Sequence, residues 1–182
     1  MLRALRNRAK LRRNAGDIYG AIVSQARHPQ FYVNLGIPDT PIGRYDMVVL
    51  HLFLVLERLR EDGDATEKLQ RLLLETFVAD MDDSLRELGT GDVVVGKRVR
   101  RAAAGFYDRA RDYRAAMTES DQALGRAFVR HGLAGTDASH DIGGLCAYVR
   151  AAVAALQKLD AEEVLAARLS FPDVASFAED RP

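Results

Sequence analysis

Cysteine is almost absent from this chain: Cys146 is the only one among 182 residues. A single thiol excludes an intramolecular disulfide and any zinc cluster built from cysteines, and it indicates a reducing compartment. Long apolar runs are also missing. The longest, residues 47–56, contains His51 and is far shorter than the roughly 18 apolar residues expected of a membrane span. No apolar segment follows the basic N-terminus as it would in a secretory signal, so we expect a cytoplasmic protein.

The chain also has no net charge, because 26 Lys and Arg balance 26 Asp and Glu. The charge is nevertheless uneven along the sequence. Residues 57–92 are acidic, residues 97–114 are basic, and the first 13 residues contain no acid but include Arg3, Arg6, Arg8, Lys10, Arg12 and Arg13. A disordered arm, an anionic-lipid contact and an RNA contact are all compatible with this basic start. Its apolar side is small, which argues against deep insertion into a bilayer.

Helical periodicity dominates the sequence, and no convincing strand alternation is present. We therefore predict an all-α fold, a single compact bundle of about six to eight helices. We divide it into a basic arm over 1–14, a helical domain over 15–168 and a loose tail over 169–182. Residues 47–56 are apolar on nearly every face, which predicts a central, buried helix.

The first helices are marked by residues typical of helix ends. Asp17 predicts the start of a helix that ends near His28, and a loop is expected over 31–38. Thr40 and Pro41 predict the start of the central helix. Further start and stop signals follow in order: Gly63, Asp64, Gly89, Asp92, Thr118 with Asp121, Gly132, and Asp160 with Glu163.

Two apolar stripes at helical spacing predict the surfaces that two later helices turn toward the core. The first consists of Leu69, Leu73, Phe77, Met81, Leu85 and Leu88. The second consists of Val95, Val99, Ala102, Phe106, Ala110, Tyr113 and Met117.

Catalytic patterns are scarce. There is no Gly-rich phosphate loop, and the four histidines fall in separate elements with no pair at i,i+4. Asp80, Asp83 and Glu87 share a helix face and keep open the alternative of a helical enzyme. No Glu-x-x-His motif completes a metal site around them, so a solvated or partner-facing acidic surface is favoured. Neither a metal nor another cofactor is expected.

The basic helix after Asp92 is more informative. Tyr107 lies outside the apolar stripe among Arg100, Arg111 and Arg114, and a tyrosine surrounded by arginines is typical of a protein interface. The same composition is compatible with an RNA- or ribosome-binding module. The structural alternative is that arginine stems cover Tyr107 while their head groups pair with Asp108 and Asp112.

Scattered polar and loop positions match the pattern of a known family in order. In the first part of the chain they are His28, Pro29, Gln30, Phe31, Tyr32, the segment 35–40, Arg44, Tyr45, Leu50 and His51. In the second part they are Phe77, residues 80–82, residues 85–89, Gly91, Asp92, Val95, Lys97, Phe106, Tyr107, Arg109 and Tyr113. On these positions the chain resembles the ubiquinol–cytochrome c chaperone family, whose members help assemble the cytochrome bc1 complex.

The resemblance implies a non-enzymatic assembly factor that binds newly made cytochrome b or other bc1 assembly intermediates. It also implies that a small helical partner or the ribosome can take part, as in mitochondrial relatives. Contact with the inner membrane from the cytoplasmic side is a further expectation. The candidate partner-binding residues are Asp39, Arg44, Arg86, Asp92, Lys97, Arg100, Tyr107, Arg109, Arg111, Tyr113 and Arg114. Replacing Arg100, Arg111 and Arg114 together is expected to weaken capture of cytochrome b.

Overall fold

The computed structural model describes residues 2–87, 92–133 and 142–177, and their side chains except those of 2–5, 65, 84–87 and 92–103. These residues form helices and no strand, which confirms the all-α prediction. The α-helices are α1 (Leu2–Ala26), α2 (Pro29–Val33), α3 (Pro41–Glu61), α4 (Glu67–Glu87), α5 (Asp92–Glu119), α6 (Asp121–Arg130), α7 (Ile142–Gln157) and α8 (Ala161–Leu165). Two short 3-10 helices cover Gly63–Ala65 and Val174–Phe177.

Helix α3 is the centre of the bundle, as its apolar sequence predicted. Thr40 caps it by accepting a hydrogen bond from the Gly43 N–H at 3.1 Å, and Pro41 occupies its first turn. Every residue from Asp46 to Leu56 is buried, and α1, α4 and α7 pack around it. Burial on all sides explains why residues 47–56 show no polar face.

The relative directions of the helices follow from side-chain contacts. Gln25 on α1 and His51 on α3 both bond to the Tyr148 hydroxyl. The Tyr19 hydroxyl donates to Asp80 on α4, and the Tyr45 ring stacks on Phe77 one turn away on the same helix, so Tyr19 on α1 lies near the start of α3. Helices α1 and α3 therefore run in the same direction. Helix α4 runs the opposite way, since a tight turn joins it to the end of α3.

The first helix begins much earlier than the sequence indicated. Asp17 does not cap a helix but is an exposed residue in the middle of α1. The apolar face of α1 continues past it, because Ala15 and Ile18 are buried and Leu11 packs against the core. The basic start of the chain is consequently helical from Leu2.

Two further boundaries differ from the predictions. The expected loop over 31–38 begins inside α2, where Phe31 is fully buried. Helix α5 continues to Glu119, so Ser120 caps α6 instead of Thr118; the Ser120 hydroxyl accepts from the Ala123 N–H at 3.1 Å. Packing of Phe31 in the core accounts for the first difference, and the cap at Ser120 accounts for the second. Each boundary moved by a few residues.

The end of the described chain packs on the core, whereas the sequence favoured a loose tail. The Phe171 ring meets His51 at 5.4 Å and the Phe177 ring meets Tyr148 at 5.7 Å. Val174 between them is 1% exposed. This segment has too few apolar residues for a periodic pattern, so its burial was not apparent from the sequence.

Other predicted features are confirmed. Asp160 and Glu163 form the capping box at α8. In the second apolar stripe, Phe106, Ala110 and Tyr113 are buried. The positions of that stripe before residue 104 lie outside the described side chains.

Candidate partner-binding surfaces

The turn surface, which we define as residues 33–44, carries a charged pair and two exposed apolar side chains. Arg44 Nε donates to Asp39 Oδ1 at 2.6 Å, and both side chains are more than half exposed. Val33 and Ile42 are 73% and 71% exposed, the highest values among large apolar side chains in the described part of the chain. Asp39 and Arg44, two of the candidate partner-binding residues, are therefore in direct contact.

Local sequence sets the shape of the turn surface. The hydrogen bond from Arg44 holds the pKa of Asp39 below its usual value, so the pair stays charged. A Cβ at Gly43 would collide with the backbone carbonyl oxygen of Pro38. Glycine at position 43 thus allows the turn to pass close to the first residues of α3.

The α5 face, defined as Tyr107, Arg111 and Arg114, is the second exposed surface. Tyr107 is 62% exposed, so the stems of Arg111 and Arg114 do not cover it, contrary to the structural alternative. The ion pairs that this alternative also predicted are present, because Arg111 contacts Asp108 at 3.4 Å and Asp112 at 3.2 Å. The α5 face therefore presents an open aromatic ring beside cations that are already paired.

Arg114 is paired across the bundle rather than along its own helix. It makes two hydrogen bonds to Glu57 on α3, at 2.8 and 2.6 Å, and Arg60 also contacts Glu57. Burial pushes the pKa of Glu57 upward, but the hydrogen bonds from Arg114 and Arg60 bring it below its usual value. These charges stand at the rim of a groove of about 420 Å³ between α3, α5 and α7, whose apolar lining includes Leu54, Met117, Val153 and Leu156.

Arg109 and Tyr113 point into the interior rather than to the surface. Arg109 Nη2 donates to Asp46 Oδ1 at 2.9 Å, and its guanidinium carbon lies 5.8 Å from the centre of the Tyr45 ring. Asp46 is 1% exposed and Tyr113 is fully buried. Burial raises the pKa of Asp46 to about 6, although the charge of Arg109 opposes this shift. Neither Arg109 nor Tyr113 is therefore placed for direct contact with a partner.

Asp46 is the buried acid that pairs with Arg109, and the sequence analysis did not identify it. A lone acid next to a long apolar run was the available signal, since a carboxylate there needs a cation or hydrogen-bond donors. The cation comes from α5, 63 positions along the chain.

A row of aromatic rings connects the two exposed surfaces. Tyr45 stacks on Phe77 at 6.1 Å, Phe77 contacts Phe106 at 6.0 Å, and Phe106 contacts Tyr107 edge-on at 5.6 Å. The row begins beside Arg44 and ends on the α5 face. Because the central rings are buried, the row fixes the two surfaces relative to each other.

Four candidate residues lie outside the described side chains: Arg86, Asp92, Lys97 and Arg100. Asp92 is the first residue of α5. Their proposed part in binding remains a prediction from the sequence.

The acidic cluster on α4 is only partly described. Asp80 accepts a hydrogen bond from the Tyr19 hydroxyl at 2.9 Å, and Asp83 is exposed. Glu87 lies outside the described side chains. Within the described residues, no three or more His, Cys, Asp or Glu side chains are grouped as metal ligands.

None of the helices in the described ranges combines the length and apolar character that crossing a bilayer requires.

Comparisons with known proteins agree on one group of relatives. A family model described as Ubiquinol-cytochrome C chaperone matches residues 33–171. The chain is 24% identical over 160 residues to Ubiquinol-cytochrome-c reductase complex assembly factor 1 of Xenopus laevis, covering 87% of this chain and 80% of that protein. It is 21% identical over 121 residues to Ubiquinol-cytochrome c reductase complex assembly factor 1 of Mus musculus, covering 66% of this chain and 41% of that protein. The crystal structure of the Cbp3 homolog from Brucella abortus has a TM-score of 0.82 at 35% identity, over 96% of this chain and 97% of that chain.

Proposed function

Because the chain belongs to the ubiquinol-cytochrome C chaperone family, we propose that it binds newly made cytochrome b during assembly of the cytochrome bc1 complex. The family is one of assembly chaperones, so the proposal includes no catalytic step. The two exposed surfaces joined by the aromatic row are the observation that carries the proposal. They offer apolar anchors and charged pairs in a fixed arrangement.

The chemistry of these surfaces suits an unassembled membrane protein. Such a client exposes apolar helices and charged loops before its partner subunits arrive. Val33, Ile42 and Tyr107 offer exposed apolar contact area, and burying a side chain of this size contributes about 1.5–3 kcal/mol. A preformed arrangement of such anchors lowers the entropy lost on binding.

The surface ion pairs can exchange partners at little cost. An exposed ion pair contributes little to stability, because water screens both charges. The pairs of Arg44 with Asp39 and of Arg111 with Asp108 are both of this type, since all four side chains are more than half exposed. Charged loops of a client can therefore replace the internal partner without destabilising the bundle.

Capture of cytochrome b by matched variants tests the proposal. Replacing Ile42→Ser and Tyr107→Ser together removes one apolar anchor from each surface, and Val129→Ser removes an exposed apolar side chain on α6 as the control. Loss of two interface anchors is expected to reduce capture at least about tenfold. The measurement is the yield of newly labelled cytochrome b bound to the tagged protein. Equal yields from the double variant and the wild type would refute this assignment of the binding surface.

The arginines of the basic helix form a second arm of the same test. The replacement of Arg100, Arg111 and Arg114 by glutamine is expected to weaken capture while the helical content stays unchanged. Arg71→Gln is a matched control, because Arg71 pairs only along its own helix with Glu75 among the described residues. Mass spectrometry of the captured proteins identifies a small helical partner or ribosomal proteins if either takes part.

We also propose that this binding takes place at the membrane into which the client is inserted, with the chaperone in peripheral contact.

A further inference from the structure

The basic segment, which we define as residues 6–13 of α1, has a high density of unpaired positive charge. Its five cations are all exposed: Arg6, Arg8, Lys10, Arg12 and Arg13. None of them makes an ion pair with any residue in the described part of the chain. Arg44 and Arg150 each pair with an acid, and the exposed arginines without an ion pair elsewhere in the described chain, Arg27, Arg126 and Arg168, are far apart in the sequence. No acid precedes Asp17, so nothing within the segment neutralises this charge.

The charges are carried on a rigid support. Helix α1 is continuous from Leu2 to Ala26, and it is anchored from Ala15 onward by buried residues such as Ile18 and Ile22. Leu11 is the last position toward the N-terminus that is known to pack against the core. Residues 6–10 therefore extend beyond this core contact on the same helix, and the helical backbone that carries the cations is already ordered, which limits the entropy lost on binding.

An exposed apolar residue belongs to the same end of the molecule. Since α1 and α3 run in the same direction, the first turn of α3 is directed toward the end where α1 begins. Ile42 lies in that turn and is 71% exposed. A cationic helix and an apolar side chain thus share one end of the bundle.

We propose that the basic segment is a docking site for a bilayer that contains anionic phospholipids. This proposal rests on the proposed function, which places the protein at a membrane. It adds which surface makes the contact and which class of lipid that surface binds. The cations complement anionic headgroups, and each Lys or Arg near such a surface strengthens binding roughly fivefold. The small apolar side of the helix keeps the contact peripheral.

The sequence of the segment favours a bilayer over RNA. Proteins that hold single-stranded RNA usually stack bases on aromatic rings. The first aromatic residue of this chain is Tyr19, which is buried and bonded to Asp80. The basic segment therefore offers positive charge but no ring on which a base could stack. Positive charge by itself favours binding to an extended anionic surface such as a bilayer.

Flotation with lipid vesicles tests this inference on the purified full chain. The vesicles consist of phosphatidylcholine alone or of phosphatidylcholine and phosphatidylglycerol in equal parts. The test variant replaces all five cations of the basic segment with glutamine, which keeps helix propensity high. The control variant makes the same change in net charge at exposed positions elsewhere, namely Arg27, Lys68, Arg71, Lys158 and Arg168.

We expect the wild type and the control variant to float with the anionic vesicles but not with phosphatidylcholine. Binding of the test variant is expected to be at least tenfold weaker, with unchanged helical circular dichroism. High salt should release the wild type. Equal binding by wild type and test variant would overturn the inference, and so would wild-type binding to a single-stranded RNA without binding to anionic vesicles.

Client capture in detergent separates this inference from the proposed function. The test variant is expected to capture cytochrome b normally there, because no bilayer is present. Failure of flotation with normal capture rejects the lipid site alone, whereas failure of capture by the wild type rejects the chaperone proposal.

Discussion

Arg109 stabilises a buried carboxylate at the junction of α3 and α5. Its guanidinium donates to Asp46 at 2.9 Å and lies over the Tyr45 ring. Asp46 is 1% exposed and the Arg109 side chain 19%, so both charges have lost most of their hydration. A buried ion pair of this kind stabilises the fold little more than two apolar side chains of matching size would. Removal of one partner is strongly destabilising, because it leaves an unpaired buried charge.

Replacing Arg109→Leu is therefore expected to lower the free energy of unfolding by about 3–5 kcal/mol. Arg44→Leu, which breaks the exposed pair with Asp39, is expected to leave the free energy of unfolding nearly unchanged, because water screens an exposed pair. Urea unfolding of both variants measures the contrast. The double variant with Asp46→Leu should recover much of the loss, because it leaves no unpaired charge in the core. Similar losses for Arg109→Leu and Arg44→Leu would contradict this account.

His51 makes the stability of the core depend on pH. Its Nε2 lies 2.8 Å from the Tyr148 hydroxyl and its Nδ1 lies 2.8 Å from the Met47 carbonyl oxygen. Complete burial lowers the pKa of His51 to about 4, so the ring is neutral in the folded protein at pH 7. Its contribution to stability is present above pH 6.5, the ordinary pKa of histidine, and is lost as the pH falls toward 4.

Asp46 acts in the opposite direction, because its raised pKa favours the folded state below pH 3.8 and that benefit disappears as the pH rises through about 6.

A His51→Gln variant isolates the histidine contribution from that of Asp46. At pH 7 the variant is expected to be less stable than the wild type, since glutamine cannot reproduce both ring hydrogen bonds. As the pH falls from 6.5 to 4, the deficit should shrink by up to about 1.4 kcal/mol per pH unit, because only the wild type must keep a histidine unprotonated. Urea midpoints at several pH values give this difference directly. A deficit that stays constant over this range would show that His51 does not titrate with a lowered pKa.

At the scale of the elements, the start of α3 determines the shape of the turn surface. Thr40 caps the helix, and the following residues pass close beneath the backbone of Pro38. The cap and the close approach both restrict the path of the chain between α2 and α3. Exposed residues in this turn are therefore presented by a rigid support and not by a flexible loop.

Gly43→Ala tests this close approach. The new methyl group would collide with the Pro38 carbonyl oxygen, a backbone atom that cannot move aside easily. We expect a loss of about 1–3 kcal/mol in the free energy of unfolding. Gly16→Ala on α1 is the control, because a Cβ there has nothing within 4 Å, and it should stabilise the helix by up to about 1 kcal/mol. Chemical denaturation of the two variants checks the opposite signs, and stabilisation by Gly43→Ala would contradict the described turn.

Helix boundaries show how far sequence patterns reach at this scale. The cap at Thr40 and the box at Asp160 were predictable, because both signals lie within four residues of the helix they start. Asp17 carried the same local signal but sits within α1, since burial of Ala15 and Ile18 keeps the helix continuous. A local cap signal cannot reveal packing by residues far along the chain.

At the scale of the whole molecule, the all-α bundle and its central helix followed from periodicity. The exposed residues of the candidate site were also predictable, since Tyr107 and Arg111 lie off the apolar stripe. Arg109 is also an arginine on α5, like Arg111, yet it is mostly buried because α3 places Asp46 opposite it. That pairing depends on how the helices assemble, which single-sequence patterns do not contain.

Deletion of the gene tests most directly whether the protein acts in the assembly of the bc1 complex. The measurement is the amount of assembled bc1 complex in membranes of the deletion strain, with another respiratory complex as the internal control. We predict a selective loss of bc1 complex that the wild-type gene restores, and that the gene for the Ile42→Ser and Tyr107→Ser variant restores poorly. A normal amount of bc1 complex in the deletion strain would contradict the account.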